Sequence, residues 1–356
     1  MKILHAADLH LDTPFAGRPE HQIPWLKQQL LTIPGQLVRL CRREGCDMML
    51  LSGDLFDGPW TADSLDALRD ALRDAGVPVF ISPGNHDFCA PNSPYLTETW
   101  PENVHIFTKN HITSLTLPEL DCRVYGAGFE SMDCASLLEG FRAEGPERYH
   151  IATLHGDPTQ IDSAYCSVTA AQVRESGLHY LALGHVHKTG FFRGGETLCA
   201  WPGCPMGRGY DEPGTKGVLI VTVEATAEAT FVPLEGPKFF DEQIPVGTDP
   251  MGAVNAILPA APTEDIFRVT LTGEAEPPNL EQLRNALSHI PNLELRDKTV
   301  PPVDIWSALG ADSLEGAYFR LLHDACHAAD DAVRAEVELA ARISRQILDG
   351  REVVLP

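Results

Sequence analysis

Short apolar runs that end in metal-type side chains constrain this chain more than any other feature. Residues 2–7, 47–52, 77–82 and 180–183 read as β-strands. Directly after them stand Asp8-Leu9-His10, Gly53-Asp54-Leu55-Phe56-Asp57, Gly84-Asn85-His86-Asp87 and Gly184-His185-Val186-His187. His155-Gly156 completes the set. Residues two apart in an extended chain point to one face, so Asp8 and His10 can share a site, as can His185 and His187. Carboxylates, imidazoles and one amide oxygen, with no thiolate, suit manganese, iron or zinc better than calcium. Singly, each cluster reads as well as a turn, a helix cap or a satisfied core pair. Together, in this order and at strand ends, they read as a hydrolase's ligands for two divalent metals.

Further strands are expected at 123–127 and 149–154, and helices at 36–43 and 64–74, where leucines recur at helical spacing. Gly45 and Gly76 close those helices. Strands alternating with helices argue for an α/β layer fold. Residues 217–224 and 229–234 read as the outer strands of a second sheet. Gly236-Pro237-Lys238 marks a boundary. Beyond it, 251–258 reads as a helix, 266–272 as a strand, 280–290 as a helix and 292–296 as a strand. Such a module is too small to hold much core alone. Val300-Pro301-Pro302-Val303 punctuates again, and a helical tail follows from about Asp312 to Asp349. The expected division is 1–235, 236–300 and 301–356.

In the tail, Asp312 and Glu315 stand like the ends of a capping box. Leu314, Tyr318, Leu321 and Ala325 form one apolar stripe. Val333, Val337, Ala340, Ile343 and Ile347 form another. Two such stripes need a surface to cover, either the protein's own small module or a partner.

The net charge is −23, with 50 acidic against 27 basic side chains. A protein that grips DNA unaided shows a basic face. Either the basic residues cluster at the site, or a partner supplies the grip, or the substrate is not long DNA. No apolar run approaches the length of a membrane span, and Met1-Lys2-Ile3 leads straight into the first strand, so a cytoplasmic location is the expectation. The nine cysteines include no Cys-x-x-Cys, and irregular spacing argues for reduced thiols.

The five clusters resemble the calcineurin-like metallophosphoesterase signature. The segment His5-Ala6-Ala7-Asp8-Leu9-His10-Leu11-Asp12-Thr13-Pro14-Phe15 is similar to SbcD-type DNA repair exonucleases, close to the YhaO branch. So is Trp201-Pro202-Gly203 followed by Gly207-Arg208 and Glu212-Pro213-Gly214-Thr215-Lys216-Gly217. Cys204 departs from the Ser or Asn expected after that Pro-Gly. The resemblance covers residues 1–235 well and the remainder faintly.

The resemblance implies a two-sheet sandwich flanked by helices, with metals at one end, a capping domain over 236–300 and a helical C-terminal tail. It assigns Asp8, His10 and His187 to one metal and Asn85, His155 and His185 to the other, with Asp54 bridging, since a carboxylate's two oxygens can each face a cation. Two ions about 3.5–4 Å apart clamp a phosphate and lower the pKa of a shared water, and hydroxide attacks phosphorus in line. Manganese is the expected metal, with iron, zinc or magnesium as alternatives. The resemblance makes His86 the proton donor to the leaving oxygen. Asp57 either orients His86, caps a helix or is an ordinary surface residue. Asp12 and Asp87 adjoin the site without being ligands. His5, His105, His111, His150 and His179 read as core or surface histidines, and His323 and His327 as a solvated helix face.

Three functions fit. The first is a manganese-dependent DNA exonuclease or endonuclease in DNA repair, partnered with an SbcC-type ATPase and forming a homodimer by resemblance. The second is a phosphoesterase of a small-molecule or protein phosphoester, which the acidity favours. The third is a metal-stabilised docking scaffold, against which the intact ligands and His86 argue.

Overall fold

The computed structural model describes residues 1–351 and 353. They fall into two compact units, Met1–Phe239 and Phe240–Pro356. In the first, the chain runs β1 (Lys2–Ala6), α1 (Ile23–Glu44), β2 (Met48–Leu51), α2 (Ala62–Asp74), β3 (Val79–Ile81), α3 (Pro94–Thr97) and β4 (Val104–Ile106). It continues through β5 (Thr113–Leu117), β6 (Cys122–Gly126), β7 (Tyr149–His155), α4 (Ala170–Glu175) and β8 (Tyr180–Gly184). Then come β9 (Gly190–Gly194), β10 (Thr197–Trp201), β11 (Gly217–Val223) and β12 (Ala227–Pro233).

These strands make two six-stranded mixed sheets, β12-β11-β1-β2-β3-β4 and β5-β6-β7-β8-β10-β9. β1, β2, β3 and β4 run parallel, as do β6, β7, β8 and β10. Strands covered on both faces need no polar alternation. Met48–Leu51 and Tyr180–Gly184 are accordingly buried at every position. Ile3, Met48, Leu50, Phe80 and Val221 from one sheet meet Val124, Ile151, Tyr180, Ala182 and Ala200 from the other in a shared core. A second core lies around Leu154, Leu181, Leu183, Cys199 and Val173 of α4. The architecture is a two-sheet α/β sandwich with flanking helices.

Two expectations about this unit change. β11 and β12 do not edge the second sheet. β11 pairs antiparallel with β1, Ile3 opposite Val221, and so extends the first. Strand pairing is a non-local choice that a sequence run does not carry. The helix expected at 36–43 begins thirteen residues earlier, at Ile23. Pro34 inside it disguised the first half, yet leucines and Ile33 on both sides of the proline stay buried. Gly45 ends the helix at φ 64°, the left-handed conformation that glycine adopts freely.

Beneath the ends of the strands lies a polar knot. His5 is fully buried, its Nδ1 2.7 Å from the Tyr180 hydroxyl and its Nε2 3.0 Å from Ser52 Oγ. Ser52 Oγ in turn lies 2.9 Å from Thr153 Oγ1. Burial lowers the His5 pKa to about 3, against a smaller opposing contact with the Leu183 backbone. Between pH 6.5 and about 3 the unfolded chain therefore binds a proton that the folded chain refuses. The stability that comes from a neutral His5 is present above pH 6.5 and drains away as pH falls towards 3. Its contribution is roughly 1.4 kcal/mol per pH unit at most. Urea unfolding of metal-free protein at pH 7, 6 and 5 is expected to show this acid slope. His5→Gln is expected to flatten it, and an unchanged slope would show that His5 is not its source.

The second unit holds β13 (Phe239–Pro245), α5 (Pro250–Asn255), β14 (Ile266–Thr272), α6 (Leu280–Ala286), β15 (Leu293–Asp297), α7 (Leu314–Ala328) and α8 (Asp331–Leu348). Its sheet has the order β13-β14-β15. Val254, Val269, Leu271, Leu283 and Leu295 make its core. α7 is capped by Ser313, which accepts from the Gly316 amide, rather than by Asp312. Asp330 caps α8. α7 and α8 pack on each other, and Phe319 and Ala341 are fully buried. The stripe read from the sequence of α7 faces out instead. Leu314 is 89% and Leu321 70% exposed, because Gly316, Phe319 and Cys326 take the inner face. Among the described residues, no helix is long and apolar enough to cross a membrane.

Candidate metal centre

The C-terminal ends of β1, β2, β3, β7 and β8 converge. Ligands bind there in open α/β sheets, because each loop leaves its strand at that edge. Asp8 and His10 follow β1, Asp54 and Asp57 follow β2, Asn85 and His86 follow β3. His155 is the last residue of β7, and His185 and His187 follow β8. The loops are not extended, contrary to the alternation expected of them. Asp8, His10, Asp54 and His185 all have positive φ, at 53°, 48°, 51° and 90°. Left-handed backbone at four polar residues costs energy and marks a functional loop. The glycines before them allow close approach. A Cβ on Gly53 would collide with the His155 ring, and one on Gly84 with the Asp54 carboxylate.

Three groups of ligand-type atoms result, two of which share Asp8. Asp8, His10 and His187 offer atoms all within 4.8 Å of one another. So do Asp8, Asp54 and His155. Asn85 Oδ1 joins the second group, 2.9 Å from His155 Nε2 and 3.2 Å from His185 Nδ1. Asp54 turns a single oxygen to both groups. Its Oδ2 is 3.3 Å from His155 Nε2 and 3.9 Å from His10 Nε2, while Oδ1 accepts the His86 amide at 2.9 Å. The bridging role expected of Asp54 thus has Oδ2 turned to both groups.

The donor chemistry fits cations. His155 Nδ1 donates to the Ser52 carbonyl at 2.9 Å, so its Nε2 lone pair faces the oxygens of Asn85 and Asp54. Acceptors do not face acceptors in a buried site without positive charge between them. Without metal, a proton supplies it. Burial pushes His155 down, but Asp54 outweighs burial and raises the pKa to about 9. A divalent ion displaces such a proton. On the other side, His187 Nδ1 lies 2.7 Å from Glu212 Oε1. A carboxylate only accepts, whereas Arg208 Nη2, 3.0 Å from the same nitrogen, only donates; the shorter contact to Glu212 gives Nδ1 the proton, and the Nε2 lone pair then points at His10 Nε2, 3.2 Å away. His10 is fully buried and its Nδ1 has no hydrogen-bond partner among the described residues. An ion between the two Nε2 atoms would relieve their close approach, while His10 Nδ1 lies 3.9 Å from Asp57 Oδ1.

The third group is His10, Asp57 and His86. His86 Nδ1 lies 2.9 Å from Asp57 Oδ1, and the His86 side chain is 44% exposed. The hydrogen bond to Asp57 raises the His86 pKa. His10, His86 and Thr13 hold Asp57 well below the usual carboxylate range. Thr61 caps α2, which removes the helix-cap reading of Asp57. Asp12 accepts from Thr61 and Ser64 and so anchors the start of α2 rather than the site. Asp87 accepts from the amides of Gly84 and Leu55 and from the Tyr95 hydroxyl, and so braces both ligand loops.

Residues 1–189 match the family model for calcineurin-like phosphoesterases. The chain belongs to that family. That family uses two divalent metals. Over 63% of its length it is 31% identical to the uncharacterized metallophosphoesterase YhaO of Bacillus subtilis, and the match spans 57% of that protein. Over 65% of its length it is 27% identical to the SbcD component of the nuclease SbcCD of the same organism, covering 68% of it. Over 53% it is 27% identical to UDP-2,3-diacylglucosamine hydrolase of Xanthomonas oryzae pv. oryzae, covering 83% of it.

In this chain, sequence reasoning missed the groups behind the candidate ligands. Glu212, in the loop between β10 and β11, is buried and anchors His187. Arg208 bonds Glu212 at 2.6 Å and lies 3.6 Å from Asp57 Oδ2. Burial pushes Glu212 up, but His187 and Arg208 outweigh it and hold the carboxyl well below its ordinary range. The only sequence hint was an Arg and a Glu four apart in a segment similar to SbcD-type enzymes. Carboxylates that bond a ligating histidine fix its tautomer and raise its basicity. Glu212→Gln is therefore expected to weaken manganese binding by about 10–100-fold. Equilibrium dialysis would measure this, and an unchanged affinity would make Glu212 structural only.

Proposed function

We propose that this phosphoesterase is a manganese-dependent phosphodiesterase that cleaves DNA as an exonuclease or endonuclease, working with an SbcC-type ATPase in DNA repair. The observation that carries the phosphoester chemistry is the His86–Asp57 pair standing beside the Asp54 oxygen that serves both ligand groups. In this reading Asp8, His10 and His187 hold one ion, Asn85, His155 and His185 the other, and Asp54 both. When bound, the ions neutralise the phosphate and supply an activated water. Asp57 accepts from His86 Nδ1 and favours the doubly protonated ring, so an Nε2 proton is left to face the substrate. Water attacks phosphorus, the bond to the leaving oxygen breaks, and His86 passes that oxygen a proton.

The nuclease reading is supported by the similarity to the SbcD component of the nuclease SbcCD and by the segment from Asp8 to Phe15. Residues 236–300 serve in it as a capping domain, and 301–356 as the partner-binding tail. The outward apolar row Leu314, Leu321 and Ile347, the last 60% exposed, supports a helix-in-groove contact with the ATPase. The net charge of −23 favours a second reading, a smaller phosphoester, to which the similarity to a UDP-2,3-diacylglucosamine hydrolase also lends weight.

One assay separates the two. Manganese-loaded protein is offered labelled single- and double-stranded DNA beside bis-p-nitrophenyl phosphate, alone and with an SbcC-type ATPase. The nuclease reading expects shortened DNA and a complex on size-exclusion chromatography. Hydrolysis of the small diester with DNA intact in both arms would leave only the second reading.

A further inference from the structure

A pocket of about 260 Å³ opens beside His86, walled by the loop after β2 and the loop after β3. Phe56 and Phe88 give it apolar surface, and Trp60 stands at its edge. Ser93 and Asn92 add polar groups on the side of α3. Phe56 is fully buried and fixed, with its ring 6.2 Å from that of Tyr95. Trp60 is different. It is half-buried, and among the described residues its indole N–H makes no hydrogen bond and its ring meets no other ring or cation. Asn92 is exposed, and its amide makes no hydrogen bond to the described residues. An indole joins a large apolar face to one polar N–H, and so suits a ligand that is both flat and polar at its rim. A small, largely preformed recess with apolar walls and a few free polar groups is the form that ligand sites take.

The position of the pocket says which part of a substrate it receives. His86 is one of its walls, and in the proposed mechanism His86 protonates the departing oxygen. Whatever is bonded to that oxygen lies against the same wall. The recess is too small for a second phosphate with its sugar and base, and besides His86 its only ionisable side chain is the Asp87 carboxyl. A flat ring fits it.

We propose that this pocket is a leaving-side subsite for a nucleobase, stacked on Trp60 and edged by the Asn92 amide. Every base has a π-face, so stacking would grip the nucleotide without reading its sequence. An unpaired or frayed end would supply such a base more readily than an intact duplex. The proposal rests on the phosphodiesterase reading only for the direction of cleavage, because base binding can be measured without turnover.

The test has two arms. In the first, binding of a free nucleoside to metal-free protein is followed by tryptophan fluorescence and calorimetry. Wild type is expected to bind, Trp60→Ala to lose about tenfold or more in affinity, and Trp60→Phe to recover most of the loss. In the second, manganese-loaded protein cleaves two dinucleotides, one with a base on the leaving side and one with an abasic sugar there. Wild type is expected to favour the base-bearing substrate about tenfold, through KM, and Trp60→Ala to erase the preference. Equal nucleoside affinity in wild type and Trp60→Ala, or no binding at all, overturns the subsite whatever the enzyme cleaves. Nucleoside binding that depends on Trp60, with neither dinucleotide cleaved, would keep the subsite and count against the phosphodiesterase reading.

Discussion

His86→Ala is expected to keep its metal and to lose hydrolysis by about 10²-fold or more, the range set by a general acid. The side chain hangs from the Asp57 hydrogen bond and is half open to solvent, whereas Asp8, His10, Asp54, Asn85 and His155 are buried. Removing it deletes a proton donor and leaves both groups intact. The loss is expected to be large for substrates that expel an alkoxide. It is expected to be smaller for p-nitrophenyl esters, whose leaving oxygen needs little protonation. Steady-state kinetics on both substrates, beside metal content, reads this out. Metal lost from His86→Ala as readily as from a ligand variant would sink the assignment.

His187→Ala is expected to fail differently. Its Nε2 faces His10 Nε2 at 3.2 Å while Glu212 holds its other nitrogen, so the substitution removes a donor from the first group. Loss of a direct ligand should exceed the about 10–100-fold typical of an outer partner. Activity at limiting manganese is expected to fall by more than about 10²-fold and to return in part at high manganese. His86→Ala would show no such return. If excess metal rescued both variants alike, or neither, the distinction between holding metal and moving a proton would not stand.

The candidate site was legible because each of its pieces is local. Asp8 and His10, Asp54 and Asp57, Asn85 and His86, and His185 and His187 each follow an apolar run within a few residues. Parallel strands buried on both faces announce themselves as such runs. The way those pieces meet was less legible. Asp8 and His10 were expected to face together by extended alternation. The chain instead turns through positive φ at both. A dihedral that a neighbouring loop enforces leaves no mark in the side-chain pattern.

Partnerships across the chain were less legible still. Glu212 stands 25 residues from His187 in a loop whose composition says only turn. β5 and β9 carry polar, exposed positions and lack the apolar run that would have marked them. In α7, spacing identified a helix and its apolar stripe but not which face the fold buries. Leucines weigh heavily in a periodicity, while Gly316 and Phe319 take the interior, where a Cβ on Gly316 would strike the Ala311 carbonyl. Trp60 sits in a Gly-Pro-Trp turn that reads as a loop tip, and only the fold places it beside His86.

The most direct test of the two-ion centre is a manganese titration of metal-free protein, with bound metal and hydrolysis of a generic diester recorded on the same samples. Two ions are expected to bind per chain, with hydrolysis absent at zero metal and rising only as the second site fills. A chelator should abolish the activity. Full activity with one ion per chain, or activity that survives the chelator, would contradict a centre in which Asp54 serves both groups.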